Sequence, residues 1–231
     1  MNFFSIAIPT YEMGGRGSEF LEYNFEKLLK QSFTDFEIVI SDHSVDDRIF
    51  DLCKNWQGKL KINYLKNIKN RGSSSSNINN AIRNCSGKWI KILFQDDYLY
   101  SENSLQELYI FIMEEKPNWI ASACEHSTDG LNHYRPFYPK WNKEIFLDNN
   151  TISSPSVITI INNQDGIFFD EDLLWLMDVD FYQRKYEVYG EPSYLNKVNV
   201  VNRIWGGRLS DIISDEIRKK EYTILKNKFT K

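Results

Sequence analysis

The sequence predicts an α/β fold with a mainly parallel central sheet flanked by helices. Three observations predict it. Apolar segments of strand length alternate with one-faced helical segments through residues 3–100. The span from Phe3 to Ile40 has the size of a strand–helix–strand unit with parallel pairing. The apolar segments end in Pro9-Thr10, Ser41-Asp42 and Gln95-Asp96-Asp97. An open α/β sheet takes its ligand beyond the carboxyl ends of its strands, where polar residues of this kind belong.

Phe3 to Ile8 is the first strand, closed by Pro9-Thr10. A glycine-rich loop, Tyr11 to Gly17, follows. Its Gly15-Arg16-Gly17-Ser18-Glu19-Phe20 lacks the third glycine of a dinucleotide fingerprint. Leu21, Phe25, Leu28 and Leu29 then fall at i, i+4, i+7 and i+8, the spacing of one helix face. Phe36 to Ile40 is the second strand, running into Ser41-Asp42-His43-Ser44. Asp47 to Trp56 is helical, and Leu60 to Leu65 alternates as a third strand. Asn70-Arg71-Gly72 with Ser73 to Ser76 makes a loop and a helix start, because serine caps helices well. Ile78, Ala81, Ile82 and Cys85 line that helix, which Ser86-Gly87 ends. The fourth strand, from Trp89 to Phe94, is apolar and aromatic and terminates abruptly in two adjacent carboxylates.

Beyond Asp97, Ser101 to Lys116 reads as a helix with Leu105, Leu108 and Ile112 inward, stopped near Pro117. Trp119 to Cys124 is a strand. Residues 125–151 are polar and aromatic with little periodicity, as expected of a functional loop or lid. Val157 to Ile161 returns to strand, and Phe168 to Glu171 to a turn. Leu173 to Tyr189 is largely helical and carries Met177-Asp178-Val179-Asp180-Phe181. Tyr194 to Arg203 is β-like. From Asp211 a final amphipathic helix ends in Arg218, Lys219, Lys220, Lys226, Lys228 and Lys231. Two readings fit that basic end: a solvated surface helix, or a face that touches a membrane surface.

Composition narrows the class. With 231 residues, 42% hydrophobic and 26% charged, the chain is an ordinary globular one with a sizeable core. A net charge of −4 argues against a broad nucleic-acid-binding surface. The aromatic share of 15% suits a sugar or base ligand, since Tyr and Trp stack on both. Cys53, Cys85 and Cys124 are widely spaced and odd in number, which predicts reduced thiols in a cytoplasmic protein. No secretory leader is visible and no stretch approaches the ~20 apolar residues of a membrane span. The expected location is therefore the cytoplasm, at the inner face of the membrane if the basic helix makes that contact.

Two acidic groups carry the chemistry. If the second and fourth strands are neighbours, Asp42, Asp96 and Asp97 converge on one crevice. Such a cluster needs a cation, or donors such as ribose hydroxyls and base nitrogens, to offset its repulsion. A divalent metal carrying a diphosphate satisfies both needs. The GxxxxGK[ST] phosphate loop is absent. Asp178 and Asp180 form the second group. Either they oppose a helix dipole, or one of them is a general base for an incoming hydroxyl. His43, His126 and His133 show no metal-ligand spacing.

Taken in order, these segments resemble the inverting family 2 glycosyltransferases with the GT-A fold. The matching residues are Ser5 to Tyr11, Leu28 to Asp42, Asn70-Arg71-Gly72 through Asn77, Ser86 to Ile90, Gln95-Asp96-Asp97, and Met177 to Phe181 with Arg184. The resemblance implies a GT-A-type Rossmann-like domain. Residues 1–100 would be its nucleotide-sugar-binding half and 101–210 its acceptor-binding and catalytic half, with 211–231 a C-terminal amphipathic helix. It implies that Pro9, Thr10, Asp42 and Asn77 hold the nucleotide, that Asp96 contacts ribose or sugar, and that Asp97 ligates Mg²⁺ or Mn²⁺. Asp178 would be the base. The implied partners are a nucleoside-diphosphate sugar and a saccharide or lipid-linked saccharide acceptor, in surface polysaccharide or lipopolysaccharide synthesis.

The sequence departs from the family pattern at four places. Gln95 replaces the first acid of the family's DXD motif, Met177 replaces the Glu before the base, and Ser76 stands where an Arg often does. A late metal-binding histidine has no counterpart near Trp205-Gly206-Gly207-Arg208, so Arg203 or Arg208 is left to steady the diphosphate. Two alternatives stay open. One is a sugar-nucleotide-binding homologue without turnover. The other is a sugar-1-phosphate nucleotidyltransferase, which needs a glycine- and arginine-rich loop where Pro9-Thr10-Tyr11 stands.

Overall fold

The computed structural model describes residues 1–147, 149–163 and 165–230. Its first half is built from β1 (Phe4–Thr10), α1 (Gly17–Leu29), β2 (Phe36–Asp42), α2 (Arg48–Trp56), β3 (Ile62–Lys66), α3 (Ser74–Arg83) and β4 (Trp89–Ile92). These strands lie in the order β3-β2-β1-β4, all parallel. Every residue of β1 is buried, because helices cover both faces of the sheet and a central parallel strand meets no solvent. Phe20, Leu21, Phe25 and Leu28 of α1 and Ile78, Ala81 and Ile82 of α3 supply that cover. Ser73 caps α3 by accepting from Ser76 N at 3.1 Å, a bond of the kind that contributes about 1 kcal/mol. At Gly87 a side chain would lie 2.6 Å from the backbone of Phe4 and Ser5, so only glycine lets the chain turn in beside β1.

The second half comprises β5 (Tyr98–Leu99), α4 (Ser104–Glu115), β6 (Trp119–Ser127), β7 (Tyr134–Phe137), β8 (Ile158–Ile161), α5 (Met177–Tyr189), β9 (Ser193–Arg203), α6 (Leu209–Ile212) and α7 (Asp215–Phe229). It extends the sheet to β3-β2-β1-β4-β8-β6-β9-β5, with β7 paired to β6. The long ladders β1–β2 and β6–β9 are parallel, whereas β8, β5 and β7 pair antiparallel over short stretches. The predicted α/β class with a mainly parallel sheet is what the chain forms.

Several expectations need correction. β1 lies between β2 and β4, so Asp42 and the Asp96–Asp97 pair are not on neighbouring strands and do not form one three-carboxylate cluster. The aperiodic stretch 125–151 contains the end of β6 and all of β7. Pro136 and a left-handed Arg135 (φ 58°) hide the alternation, and an edge strand tolerates proline because one side needs no donor. The helix read from Leu173 begins only at Met177, and the helix read from Ser101 begins at Ser104, after β5. The helix read from Asp211 is two elements, α6 and α7, separated by Ile213 and Ser214, and Ser214 caps α7 by accepting from Ile217 N. Lys231 lies outside the described residues.

Candidate active site

Two adjoining clefts open at the carboxyl ends of β1 and β4. The first is walled by Pro9, Tyr11, Met13, His43, Arg71, Asn77 and Asp96, with Leu209 and Ile212 of α6 on the far side. The second is lined by Asp96, Asp97, Trp175, Asp178, Asn202 and Arg208, among others. Tyr11 and Asp96 line both, so the clefts meet at the Asp96 turn.

The predicted nucleotide residues divide into wall and floor. Pro9 and Asn77 face the first cleft, while Thr10 and Asp42 are fully buried beside them. Thr10 and Asp42 are register partners, and Thr10 Oγ1 donates to Asp42 Oδ1 at 3.1 Å. Asp42 also accepts from Ser44 N at 2.9 Å, Tyr64 Oη at 2.7 Å and Lys66 Nζ at 3.3 Å. Asn77 ties the strand ends together: its Nδ2 donates to Thr10 O at 3.0 Å, and its Oδ1 accepts from Ser41 Oγ at 2.7 Å.

The Asp96–Asp97 turn is held from every side. Asn24 of α1 donates to the carbonyls of Gln95 and Asp97 at 2.9 and 2.7 Å. Gln95 is spent on the neighbouring loop: it accepts from Tyr11 N at 2.9 Å and donates to Gly17 O at 2.6 Å. Trp205 Nε1 donates to Asp96 Oδ2 at 2.8 Å. Its ring packs so closely on Gly207 that a side chain there would lie 2.1 Å from it. Asp97 Oδ1 accepts from Arg203 N at 3.0 Å and Oδ2 from Ser154 Oγ at 3.3 Å. The Arg203 guanidinium is turned away into a box of Phe20, Tyr23 and Tyr98, about 5 Å from each ring, an arrangement favoured by the negative ring faces. Burial raises both carboxyls of the pair, and repulsion from Asp96 adds to it at Asp97. Beneath them Lys91 is fully buried, donates to Ser156 O, and is pushed down to about 7 by burial.

The two acids of α5 have different environments. Asp180 is fully buried, with Arg184 Nε at 2.8 Å and Lys228 Nζ of α7 at 2.6 Å. Asp178 faces the second cleft, and its Oδ2 accepts from Asn150 Nδ2 at 2.8 Å. One short segment therefore touches both halves of the site. Asn150 reaches Asp178, Ser154 reaches Asp97, and Ser156 Oγ accepts from Phe94 N at 2.9 Å. Asn24, Asn150, Ser154 and Trp205 were not legible as site residues in the sequence. No motif marks them, and each acts on a partner at least 28 residues away.

The acidic pair fits a divalent cation. Two adjacent carboxylates whose burial disfavours their own charge line the second cleft, and a hard cation takes oxygen ligands of that type. Among the described residues no third His, Cys, Asp or Glu completes a protein cage. Mg²⁺ is commonly bound in this way, by one or two carboxylates with substrate phosphates and water filling the remaining positions.

Comparison with known proteins agrees with this geometry. The model of the glycosyl transferase family 2 matches residues 5–172. Poly(ribitol-phosphate) beta-N-acetylglucosaminyltransferase TarS of Staphylococcus aureus is 24% identical in strain Mu50 and 25% in strain MW2, over 190 residues and 79% of this chain. The chain spans about a third of the length of those relatives (32%). The structure of S. aureus TarS 1–349 with UDP-GlcNAc superposes with a TM-score of 0.76 at 20% identity, over 96% of this chain and 65% of that one. A Pyrobaculum calidifontis mannosyltransferase in complex with GDP-Man and Mn²⁺ gives a TM-score of 0.62 at 13% identity, over 88% and 56% of the two chains. The fold, the ordered strand-end residues and the family match agree: this chain belongs to glycosyl transferase family 2 and has the GT-A fold.

Proposed function

We propose that the protein transfers a sugar from a nucleoside-diphosphate sugar to an acceptor hydroxyl, with inversion at the anomeric carbon. The observation that carries this reading is the cleft shared by Asp96–Asp97 and Asp178, two acidic groups tied to one another through the 150–156 segment. Pro9 and Asn77, over the floor made by Thr10 and Asp42, hold the nucleoside in the first cleft, and Asp96 meets ribose or sugar where the clefts join. Residues 1–100 supply this donor half, and residues 101–210 the acceptor half.

Asp178 then takes the proton from the acceptor hydroxyl as its oxygen attacks the anomeric carbon from the second cleft. The bond from that carbon to the diphosphate breaks on the opposite face, and the configuration inverts. Asp97 would hold Mg²⁺ or Mn²⁺, which when bound would supply Lewis-acid charge to the departing diphosphate. Both candidate arginines border the second cleft, and Arg208 suits the diphosphate better, because the Arg203 guanidinium is enclosed by aromatic rings. The relation to TarS supports a UDP-sugar donor and a surface polysaccharide as acceptor polymer. A peripheral membrane contact would rest on Lys219, Lys220 and Lys226, since Arg218 and Lys228 of α7 are turned onto the protein. No helix among the described residues is long and apolar enough to cross a membrane.

The test is a thermal-shift panel of UDP, GDP, dTDP and CDP with and without Mn²⁺, since a ligand that binds only the folded state raises its stability. One nucleotide stabilising the protein, more with Mn²⁺ and not in Asp97→Ala, supports the reading and names the donor class. No shift under any condition overturns it. Binding without release of nucleoside diphosphate would identify a homologue without turnover.

A further inference from the structure

We propose that α7 is a positioning element of the active site, and that Glu221 is the residue through which it sets the proposed base. This rests on the assignment of Asp178 as that base. Glu221 is buried, and its carboxylate accepts three successive backbone N–H groups, those of Leu174, Trp175 and Leu176, each at 2.8 Å. Those amides belong to the turn that delivers the chain into α5, two to four residues before Asp178. Position 176, which precedes the helix, is a leucine and offers no capping side chain. A helix start normally needs an acceptor of this kind close at hand. In this protein the acceptor comes from another helix, 45 to 47 residues further along the chain.

The same helix grips the turn on both sides. Lys228 Nζ donates to Asp170 Oδ2 at 3.0 Å and to Asp180 Oδ1 at 2.6 Å, so one ammonium spans the two ends of the segment that carries Asp178. Arg218 lies 4.5 Å from the ring of Trp175, a residue lining the second cleft, and its guanidinium donates to Ser210 O in α6. Charge-assisted bonds to a carboxylate are shorter and stronger than neutral ones, and a buried set of three fixes the backbone direction at the helix start. The direction of the Asp178 side chain follows from it. Glu221 touches neither cleft, so its effect on turnover passes through the turn.

The experiment measures Glu221→Ala and Glu221→Gln in the full chain with two readouts. Amide hydrogen exchange reports the turn itself. Release of UDP from UDP-GlcNAc with Mn²⁺, together with the UDP thermal shift, reports chemistry and donor binding separately. For Glu221→Ala we expect exchange at residues 174–177 to rise at least tenfold with β1 unchanged, and kcat to fall at least tenfold with the donor KM within twofold. Glu221→Gln keeps an acceptor for Trp175 and Leu176 but presents an amide towards Leu174, so it should fall between wild type and Glu221→Ala. Lys228→Met should loosen the same turn and keeps the inference testable if Glu221→Ala does not fold. Unchanged exchange at 174–177, exchange raised equally throughout the protein, or a raised KM at constant kcat would overturn the inference. A wild-type chain that binds no nucleotide would instead overturn the transferase reading, while the exchange pattern still decides whether Glu221 holds the turn.

Discussion

The indole nitrogen of Trp205 donates to the Asp96 carboxylate at 2.8 Å, while its ring meets Phe20 edge-on with centroids 5.3 Å apart. Trp205 stands in the stretch where the family's late histidine would be. It holds an acid of the site in place and offers no metal ligand. Trp205→Phe should keep the ring contact and lose the donor. A hydrogen bond to a charged group contributes about 1.5–3 kcal/mol. Unfolding in urea should therefore show a loss of roughly that amount, and titration with UDP and Mn²⁺ should show weaker affinity, because Asp96 is no longer held.

The two acids of α5 should separate cleanly. Asp180 is buried between Arg184 and Lys228, and breaking a buried ion pair costs about 3–5 kcal/mol. Asp180→Asn should therefore lose stability in denaturant unfolding. Asp178→Asn should retain stability and nucleotide binding while turnover falls by about 10²–10⁴, the usual worth of a general base.

The Asn150 amide that orients Asp178 predicts a smaller, purely kinetic effect. Its Nδ2 donates to Asp178 Oδ2, and its Oδ1 accepts from Ile152 N and Ser153 N at 3.0 Å. Asn150→Asp preserves the turn acceptor and sets a second carboxylate against the base. Steady-state kinetics should show kcat reduced about tenfold or more, with nucleotide affinity within twofold of wild type.

Metal dependence should weaken in acid. Burial raises both the Asp96 and Asp97 carboxyls above their ordinary range, and the Asp96 charge adds to it at Asp97, so protons compete increasingly with a cation as pH falls. For a carboxyl raised on folding, the destabilisation is present above the folded-state value and is relieved as pH falls towards the unfolded one. Lys91, lowered to about 7 by burial, runs the other way: its cost is present below that value and is relieved as pH rises. Metal-free stability therefore mixes two opposing contributions. The increment in melting temperature on adding Mn²⁺ isolates the acids, and it should be larger at pH 8 than at pH 6.

Restoring the family's first acid at position 95 should do harm. Gln95 donates to Gly17 O and accepts from Tyr11 N, which pins the loop after β1. Asp at this position is shorter and, ionised, cannot donate to a carbonyl. An unpaired buried acceptor costs about 1–3 kcal/mol. Gln95→Asp should lower stability in urea by roughly that amount, without tightening Mn²⁺ binding.

The sequence by itself determined the alternation of strands and helices, the polar strand ends and the family. Each is written in side chains a few positions apart: the helical spacing of Leu21, Phe25 and Leu28, the apolar run before Asp96, the ordered strand-end motifs. Even there the local signal failed where Pro136 and Arg135 interrupt β7. The resemblance singled out Asp178 by its motif position, but the physical reason is tertiary: Lys228 and Arg184 claim Asp180, and Asp178 is the acid of α5 that faces the cleft. Tertiary structure also set β1 between Asp42 and Asp97, packed the Arg203 guanidinium among aromatic rings and gave Arg208 to Asp211, and gave the C-terminal helix a partner in the turn before Asp178. These outcomes depend on pairs tens of residues apart. Their choice is made by burial and charge satisfaction in the folded core, which no local pattern records.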